Sequence, residues 1–159
     1  MTNISIKKIP IIHGGRLYSL FDQALEKDFA YFSPEYRQNV RRANNIAKLR
    51  LGTVHPNRLF MGIYEGGELK GYSISGVQKA TAKAFLYWLY VDPLLRKKQL
   101  GQLLLSETET ALRSRNVDSI HLVTHNQQHF YERAGYEINK ILTDVDYNVD
   151  MYLMVKSGL

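Results

Sequence analysis

Apolar residues in the first third of the chain recur with the period of an amphipathic helix. They lie three or four residues apart, at Leu17, Leu20, Phe21, Ala24, Leu25 and Phe29. Before them, Ile4, Ile6 and the apolar segment 9–12 predict a short opening strand that ends at Gly14-Gly15. After them, Ser33 followed by Pro34 is typical of a helix start, and Gly52 is the predicted end of that second helix.

The pattern changes to that of strands in the middle of the chain. Residues 59–64 and 69–77 flank the turn Glu65-Gly66-Gly67-Glu68, which predicts a hairpin, and residues 83–91 add a third antiparallel strand.

The last third alternates between the two patterns. Helical spacing returns at Leu100, Leu103, Leu104, Ala111 and Leu112. A strand at 119–123, a short helix at 127–133 and two strands at 136–142 and 149–155 follow, and Gly135 suits a left-handed cap after the short helix. This order predicts an α/β (α+β mixed) fold: a mixed sheet with helices on its faces.

Composition narrows the class of protein. A chain of 159 residues, 45% of them hydrophobic, is the size of one domain, and no linker or repeat divides it. The absence of cysteine excludes disulfides and thiolate nucleophiles. The longest apolar run is too short to span a membrane, and the first ten residues lack the apolar core of a signal peptide, so we expect a soluble, cytoplasmic protein with no membrane partner.

Positive charge is concentrated in two places. The formal net charge is +6, which is compatible with an anionic partner or simply with solubility. Between Glu35 and Glu65 there is no acidic residue, and the cations there are Arg37, Arg41, Arg42, Lys48, Arg50 and Arg58. The second cluster is Arg96-Lys97-Lys98.

Residues 91–104 combine a strand end, a basic loop and a helix start. The free N–H groups and partial positive charge of a first helical turn bind anions, so the amides of residues 98–102 are candidates for a phosphate site. Gly101 lets the backbone approach a ligand closely. In the alternative interpretation, Gly101 marks an ordinary loop and the three cations are solvated.

This segment resembles the phosphate loop of the GNAT superfamily, the acyl-CoA-dependent N-acetyltransferases. The family pattern is Arg/Gln-x-x-Gly-x-Gly/Ala after a Val-x-Pro strand end, and Val91, Pro93, Arg96 and Gly101 match it. Gln99 stands where the family usually has Gly. The resemblance implies a GNAT-like fold over residues 1–159, with a mostly antiparallel sheet of about seven strands in a single N-acetyltransferase domain.

A second match follows one helix and one strand later. His129-Phe130-Tyr131-Glu132-Arg133-Ala134-Gly135-Tyr136 resembles the family segment Phe/Leu-Tyr-Glu-Lys/Arg-x-Gly-Phe/Tyr. Family members often have an Asn seven residues before this Tyr, whereas Asn126 precedes Tyr131 by five.

The resemblance implies how acetyl-CoA is bound and used as acyl donor. The pantetheine arm would pair with the edge of the strand at 89–91, with Val91 supplying N–H and C=O and the Leu89 N–H facing the thioester carbonyl. Tyr131 would protonate or orient the leaving sulfur. The implied cofactor-binding residues are Leu89, Val91, Arg96, Lys97, Lys98, Gln99, Leu100, Gly101, Gln102, Asn126 and Tyr131.

The general base is less well indicated. Many family members carry a carboxylate on the fourth strand, but residues 83–91 contain neither Asp nor Glu. His125 is the preferred base because imidazole has an ordinary pKa of about 6.5, and it is therefore the third catalytic candidate beside Tyr131 and Leu89. His129, Tyr87 acting through water, and solvent remain alternatives. The five histidines show no spacing typical of a metal site, so we predict none.

Three functions fit these observations. The preferred one is transfer of an acetyl group from acetyl-CoA to a primary amine of a small molecule or protein, by direct attack in a ternary complex. Glu26, Asp28, Tyr31, Tyr36 and the Arg-rich helix would bind the amine acceptor. A non-catalytic acyl-CoA-binding regulatory module is the alternative. Binding of nucleic acid is disfavoured because such basic runs usually form a solvated helix face. The sequence permits a monomer or a homodimer.

Overall fold

The computed structural model describes residues 3–143 and 149–159. Within them the strands are β1 (Ile4–Lys8), β2 (Arg58–Glu65), β3 (Glu68–Gln78), β4 (Lys83–Val91), β5 (Ser119–Thr124), β6 (Glu137–Thr143) and β7 (Asp150–Ser157). The α-helices are α1 (Gly14–Lys27), α2 (Pro34–Ala43), α3 (Ile46–Val54), α4 (Leu100–Arg113) and α5 (Gln128–Arg133).

The strands form one sheet in the order β1-β2-β3-β4-β5-β7-β6. Every neighbouring pair is antiparallel except β4 and β5, which are parallel. The predicted fold class, a mixed and mostly antiparallel sheet with helices on its faces, is therefore confirmed. The β4–β5 ladder runs only from Lys83 and Ser119 to Leu86 and Leu122. Beyond it the two strands separate, and this separation opens a cleft between them.

Helices cover the two faces of the sheet with separate apolar cores. On one face, α4 packs Leu104, Leu105 and Leu112 against β2, β4 and β5. On the other face, α1 packs the predicted stripe that includes Leu17 and Leu20 against β2, β3 and β4. Burial of both apolar faces is the main stabilising contribution to such a sheet.

The opening strand is shorter than predicted. β1 ends at Lys8, and Ile11–His13 form a turn of 3₁₀ helix instead of continuing the strand. Pro10 lies at the N-cap of that turn and has no N–H to donate to a neighbouring strand, which explains the early end.

The single helix predicted from Ser33 to Gly52 is wrong, because two helices occupy this region. α2 ends at Ala43, and the Asn45 side chain caps α3 by accepting a hydrogen bond from the Lys48 N–H at 3.0 Å. Gly52 does not end α3, which continues to Val54. A Cβ atom at Gly52 would lie 2.5 Å from the Phe60 ring, so glycine serves close packing of α3 on β2.

No helix in residues 3–143 and 149–159 has the length and apolar composition needed to cross a membrane.

Candidate active site

A cleft of about 1130 Å³ opens where β4 and β5 separate. Its walls come from the second half of β4, the end of β5, the start of α4, α5 and the segment between α1 and α2. It contains Leu89, Val91, Gly101 and Tyr131, so the two matching motifs and the end of β4 meet in one place.

The backbone of β4 directs two residues into this cleft. The Asp92 N–H donates to the Lys70 carbonyl oxygen on the β3 side at 2.8 Å. Because successive residues of a strand direct their N–H and C=O groups to opposite sides, Val91 and Leu89 present theirs on the side away from β3, toward the gap. A bulge at Tyr87, between the pairs Ile74–Trp88 and Ser75–Leu86, precedes this stretch.

The start of α4 faces the same cleft. Gln99 caps the helix with φ +57° and ψ +17°, a left-handed conformation that glycine adopts most easily. Gln99 thus stands where the family pattern has Gly and adopts a left-handed backbone conformation. The next amides, those of Leu100, Gly101 and Gln102, have no partner within the helix. A Cβ atom at Gly101 would lie 3.5 Å from the Phe130 ring.

The basic loop before α4 makes contacts to acidic residues. Arg96 donates through Nε to the Val91 carbonyl at 2.9 Å and pairs with Asp28, while its guanidinium lies 5.4 Å from the centre of the Tyr90 ring. Lys98 lies 3.5 Å from a Glu65 oxygen. Lys97 belongs to the same turn, but its side chain is outside the described part of the structure.

Tyr131 lies on α5, opposite the start of α4. Its ring is half-buried and packs edge-to-face on Phe130 at 5.0 Å and on Tyr136 at 5.6 Å. Burial raises the pKa of the Tyr131 phenol well above its usual range, so the hydroxyl stays protonated and able to donate. Gly135, with φ +91°, ends α5 in the predicted left-handed conformation and turns the chain toward Tyr136.

The three remaining polar candidates occupy different surroundings. The His125 ring packs against Tyr31 at 4.7 Å. His125 does not itself line the cleft; it lies at the rim, between the lining residues Thr124 and Asn126. Its Nδ1 lies 2.9 Å from the Asp150 carbonyl, which only accepts hydrogen bonds, so Nδ1 carries a proton and Nε2 is the nitrogen that would hold the lone pair of a neutral ring. Asn126 lines the cleft. His129 is 83% exposed on the outer side of α5, where it pairs with Glu132.

An aromatic wall closes the α1–α2 side of the cleft. It consists of Phe29, Tyr31, Phe32, Tyr36 and Trp88. Phe29 packs edge-to-face on Trp88 at 5.3 Å and stacks on Phe32 at 5.9 Å. Sequence reasoning found Tyr31 and Tyr36 but missed the others. The run Phe29-Ala30-Tyr31-Phe32 after α1, dense in aromatics, was the available signal.

Both acidic residues expected to attract an amine are already paired with arginines: Asp28 with Arg96 of the basic loop, and Glu26 with arginines from α2. Arg41 donates to Asp22 at 2.7 Å and pairs with Glu26, and Arg37 lies 3.2 Å from Glu26. Two of the six cations in the acid-free stretch are therefore neutralised within the fold. In the ranges 3–143 and 149–159, no three His, Cys, Asp or Glu side chains converge in a manner suited to a metal ion.

Comparison with solved structures shows the same fold in several acetyltransferases. PaiA N-acetyltransferase from Thermoplasma acidophilum, solved in complex with coenzyme A, superposes with a TM-score of 0.82 at 24% identity, covering 98% of this chain and 99% of the other. The ribosomal-protein-S18-alanine N-acetyltransferase from Escherichia coli gives a TM-score of 0.73 at 17% identity, with coverages of 98% and 94%. The aminoglycoside 6'-N-acetyltransferase from Enterococcus faecium also gives 0.73, at 18% identity and coverages of 98% and 97%.

Sequence comparison agrees with the fold. The uncharacterized protein YxbD from Bacillus subtilis (strain 168) is 27% identical over 95 residues, which are 52% of this chain. The chain spans 60% of the length of that relative. The model of the acetyltransferase (GNAT) family matches residues 17–136. This match extends from the first helix to the end of the Tyr131 segment, and the chain belongs to the acetyltransferase (GNAT) family.

Proposed function

We propose that the protein transfers an acetyl group from acetyl-CoA to a primary amine. The observation that carries this proposal is the junction of the β4–β5 gap with the start of α4. Leu89 and Val91, whose backbone groups face the gap, line the same cleft as Gly101 and Gln102, whose amides have no partner within α4. Such a junction suits a donor that has an extended amide arm and a pyrophosphate.

The residues present fit this donor. The Val91 N–H and C=O would pair with the pantetheine amides, and the Leu89 N–H would stabilise negative charge on the thioester carbonyl oxygen. The first-turn amides of α4 would hold the pyrophosphate. Lys98, 54% exposed and 3.5 Å from Glu65, is free to turn toward an anion because so exposed an ion pair contributes little. Arg96 would give up its hydrogen bond to the Val91 carbonyl and donate to the cofactor instead.

The proton steps would be divided between two residues of the segment that follows β5, Tyr131 on α5 and His125 at the end of the strand. The thioester supplies an activated acyl group, so the enzyme chiefly holds the reactants together and moves protons. Tyr131, half-buried and protonated, would donate to the departing sulfur. His125, with its Nε2 lone pair available, would accept a proton from the amine at the rim. Tyr87, acting through water, is the alternative acceptor, whereas His129 does not line the cleft.

The aromatic wall and the rim at His125 would receive the acceptor. We assign residues 1–159 to one N-acetyltransferase domain acting in the cytoplasm. A non-catalytic acyl-CoA-binding module is the second candidate, and the specific observation behind it is that β4 has no carboxylate.

The test is release of CoA from acetyl-CoA in the presence of a panel of primary amines. We expect the wild type to release CoA only when an amine is present. His125→Ala should lower this rate most at low pH, where solvent is least able to replace His125 as the base. Binding of acetyl-CoA without turnover of any amine would favour the regulatory module. A pH–rate profile unchanged by His125→Ala would remove His125 as the base.

A further inference from the structure

A shallow groove continues the acceptor side of the cleft along the sheet. We call it the Arg58 groove and define it by His55, Asn57, Arg58, Gly76, Gln78 and Tyr87; its volume is about 440 Å³. Tyr87 lines both the groove and the main cleft, so a molecule that extends past Tyr87 passes from one into the other.

The position of Tyr87 depends on two features of the sheet. The bulge at Tyr87 places the side chains of Tyr87 and Trp88 on the same face of β4. Gly76, on the neighbouring strand, leaves room for the ring: a Cβ atom there would lie 2.9 Å from Tyr87 Cε2 and 3.0 Å from its hydroxyl oxygen. The ring therefore lies across β3 toward β2, where it meets Arg58.

The groove is positively charged. The Arg58 guanidinium lies over the Tyr87 ring, 5.1 Å from its centre. Arg115 does not line the groove, but it holds the backbone of Arg58 by donating to the Arg58 carbonyl at 2.7 Å. No carboxylate of residues 3–143 or 149–159 pairs with Arg58, and none of the groove's lining residues is acidic. Arg16, Arg37, Arg41 and Arg96 all have such partners.

We propose that the Arg58 groove is a subsite for an anionic group carried by the amine acceptor. The inference rests on the proposed function, since it places the reacting nitrogen beside Leu89. Tyr87 lies two positions before Leu89 in β4, and the Arg58 guanidinium lies a further 5.1 Å from the centre of the Tyr87 ring. The anion would thus lie on the order of 10 Å from the nitrogen. The substrate class is a primary amine with a carboxylate or phosphate at that separation.

Matched acceptors test this subsite. We would compare ω-aminooctanoate with its amide, which has the same length but no charge, and ω-aminobutyrate with its amide as the pair too short to reach. Comparing ω-aminooctanoate with an aminohexyl phosphate shows whether the subsite prefers a carboxylate or a phosphate. We expect a kcat/KM about fivefold higher for the octanoate than for its amide, as for a partly exposed ion pair, and no preference within the short pair. Arg58→Gln should abolish the long-chain preference, and Arg58→Lys should retain part of it.

Arg113→Gln is the control, because Arg113 is an exposed arginine on α4, on the opposite face of the sheet. It should keep the preference for the octanoate. Equal kcat/KM for acid and amide in the wild type, or a preference that survives Arg58→Gln, would overturn the subsite.

A binding measurement separates this inference from the proposed function. Saturation-transfer NMR detects ω-aminooctanoate on the protein in the presence of CoA without any turnover. Binding that Arg58→Gln weakens supports the subsite even if no amine is acetylated, a result that would count against the proposed function alone. Equal binding to wild type and Arg58→Gln overturns the subsite even if acetyl transfer is observed.

Discussion

At Gly101, a side chain would enter the space between the start of α4 and the Phe130 ring. A methyl group fits there, since a Cβ atom would lie 3.5 Å from Phe130 and 3.8 Å from Val91 Cγ2. A carboxylate would add bulk and negative charge where the pyrophosphate is proposed to bind. We expect Gly101→Glu to weaken acetyl-CoA binding by about a hundredfold or more, and Gly101→Ala to change it by less than about fivefold.

Trp88 makes this measurement direct, because it is the only tryptophan of the chain and lines the cleft. A fluorescence titration of the two variants with acetyl-CoA compares them on the same signal. Wild-type affinity in Gly101→Glu would reject the pyrophosphate site.

Tyr131 carries the proposed acid role. Replacement by Phe keeps the packing on Phe130 and Tyr136 but removes the proton, and loss of a general acid typically lowers turnover about a hundredfold. We therefore expect a low kcat with nearly unchanged acetyl-CoA affinity. Steady-state kinetics together with the Trp88 titration separate the two quantities.

The raised pKa of Tyr131 predicts how kcat changes with pH. Burial raises the pKa of the phenol, so the acid form persists as pH rises past the ordinary tyrosine value of about 10. The kcat of the wild type should show no alkaline decline below about pH 10. A decline near pH 8 that disappears in Tyr131→Phe would contradict the raised pKa, whereas equal kcat of the two proteins would remove the acid role.

At the level of elements, α4 is joined to β7 by a buried ion pair. Lys156 donates to Glu109 at 2.7 Å, and the Glu109 side chain is only 10% exposed. Desolvation and the neighbouring Glu109 carboxylate raise the pKa of Tyr136, which lies against the same pair. This cluster fixes the helix whose N-terminus forms the proposed pyrophosphate site.

Glu109→Gln should lower the free energy of unfolding by about 2–3 kcal/mol, because it leaves a largely buried Lys156 charge without its partner. Glu107→Gln, at an exposed position of the same helix, should change it by less than about 0.5 kcal/mol. Urea denaturation of both variants measures the difference. If Glu109→Gln were as stable as Glu107→Gln, water would have to solvate Lys156 in place of the Glu109 carboxylate.

Local patterns predict most elements but not all their boundaries. Ser33-Pro34 correctly marks the start of α2, where the Tyr36 N–H donates to the Ser33 hydroxyl at 3.1 Å. The break at Asn44-Asn45 escapes prediction because the apolar spacing continues across it. Gly52 is wrongly predicted as a helix end because the real reason for glycine there is close packing on Phe60. That residue lies on another element, so no local pattern reveals the contact.

At the scale of the whole molecule, the cleft exists because β4 and β5 pair over only four residue pairs before separating. The end of β4 and the start of α4 are predictable, since both have local signals in Pro93 and Gly101. The aromatic wall, the Asp28–Arg96 pair and the Arg58 groove are not. These depend on long-range packing: Asp28 and Arg96 are 68 residues apart in the chain.

Isothermal titration calorimetry with acetyl-CoA is the decisive test of the proposed donor site, with desulfo-CoA and ATP as reference ligands for the thioester and the nucleotide. We predict a Kd in the micromolar range for acetyl-CoA, similar binding of desulfo-CoA and much weaker binding of ATP, because the β4 edge recognises the pantetheine arm. Absence of acetyl-CoA binding, or ATP binding of equal strength, would refute the donor site.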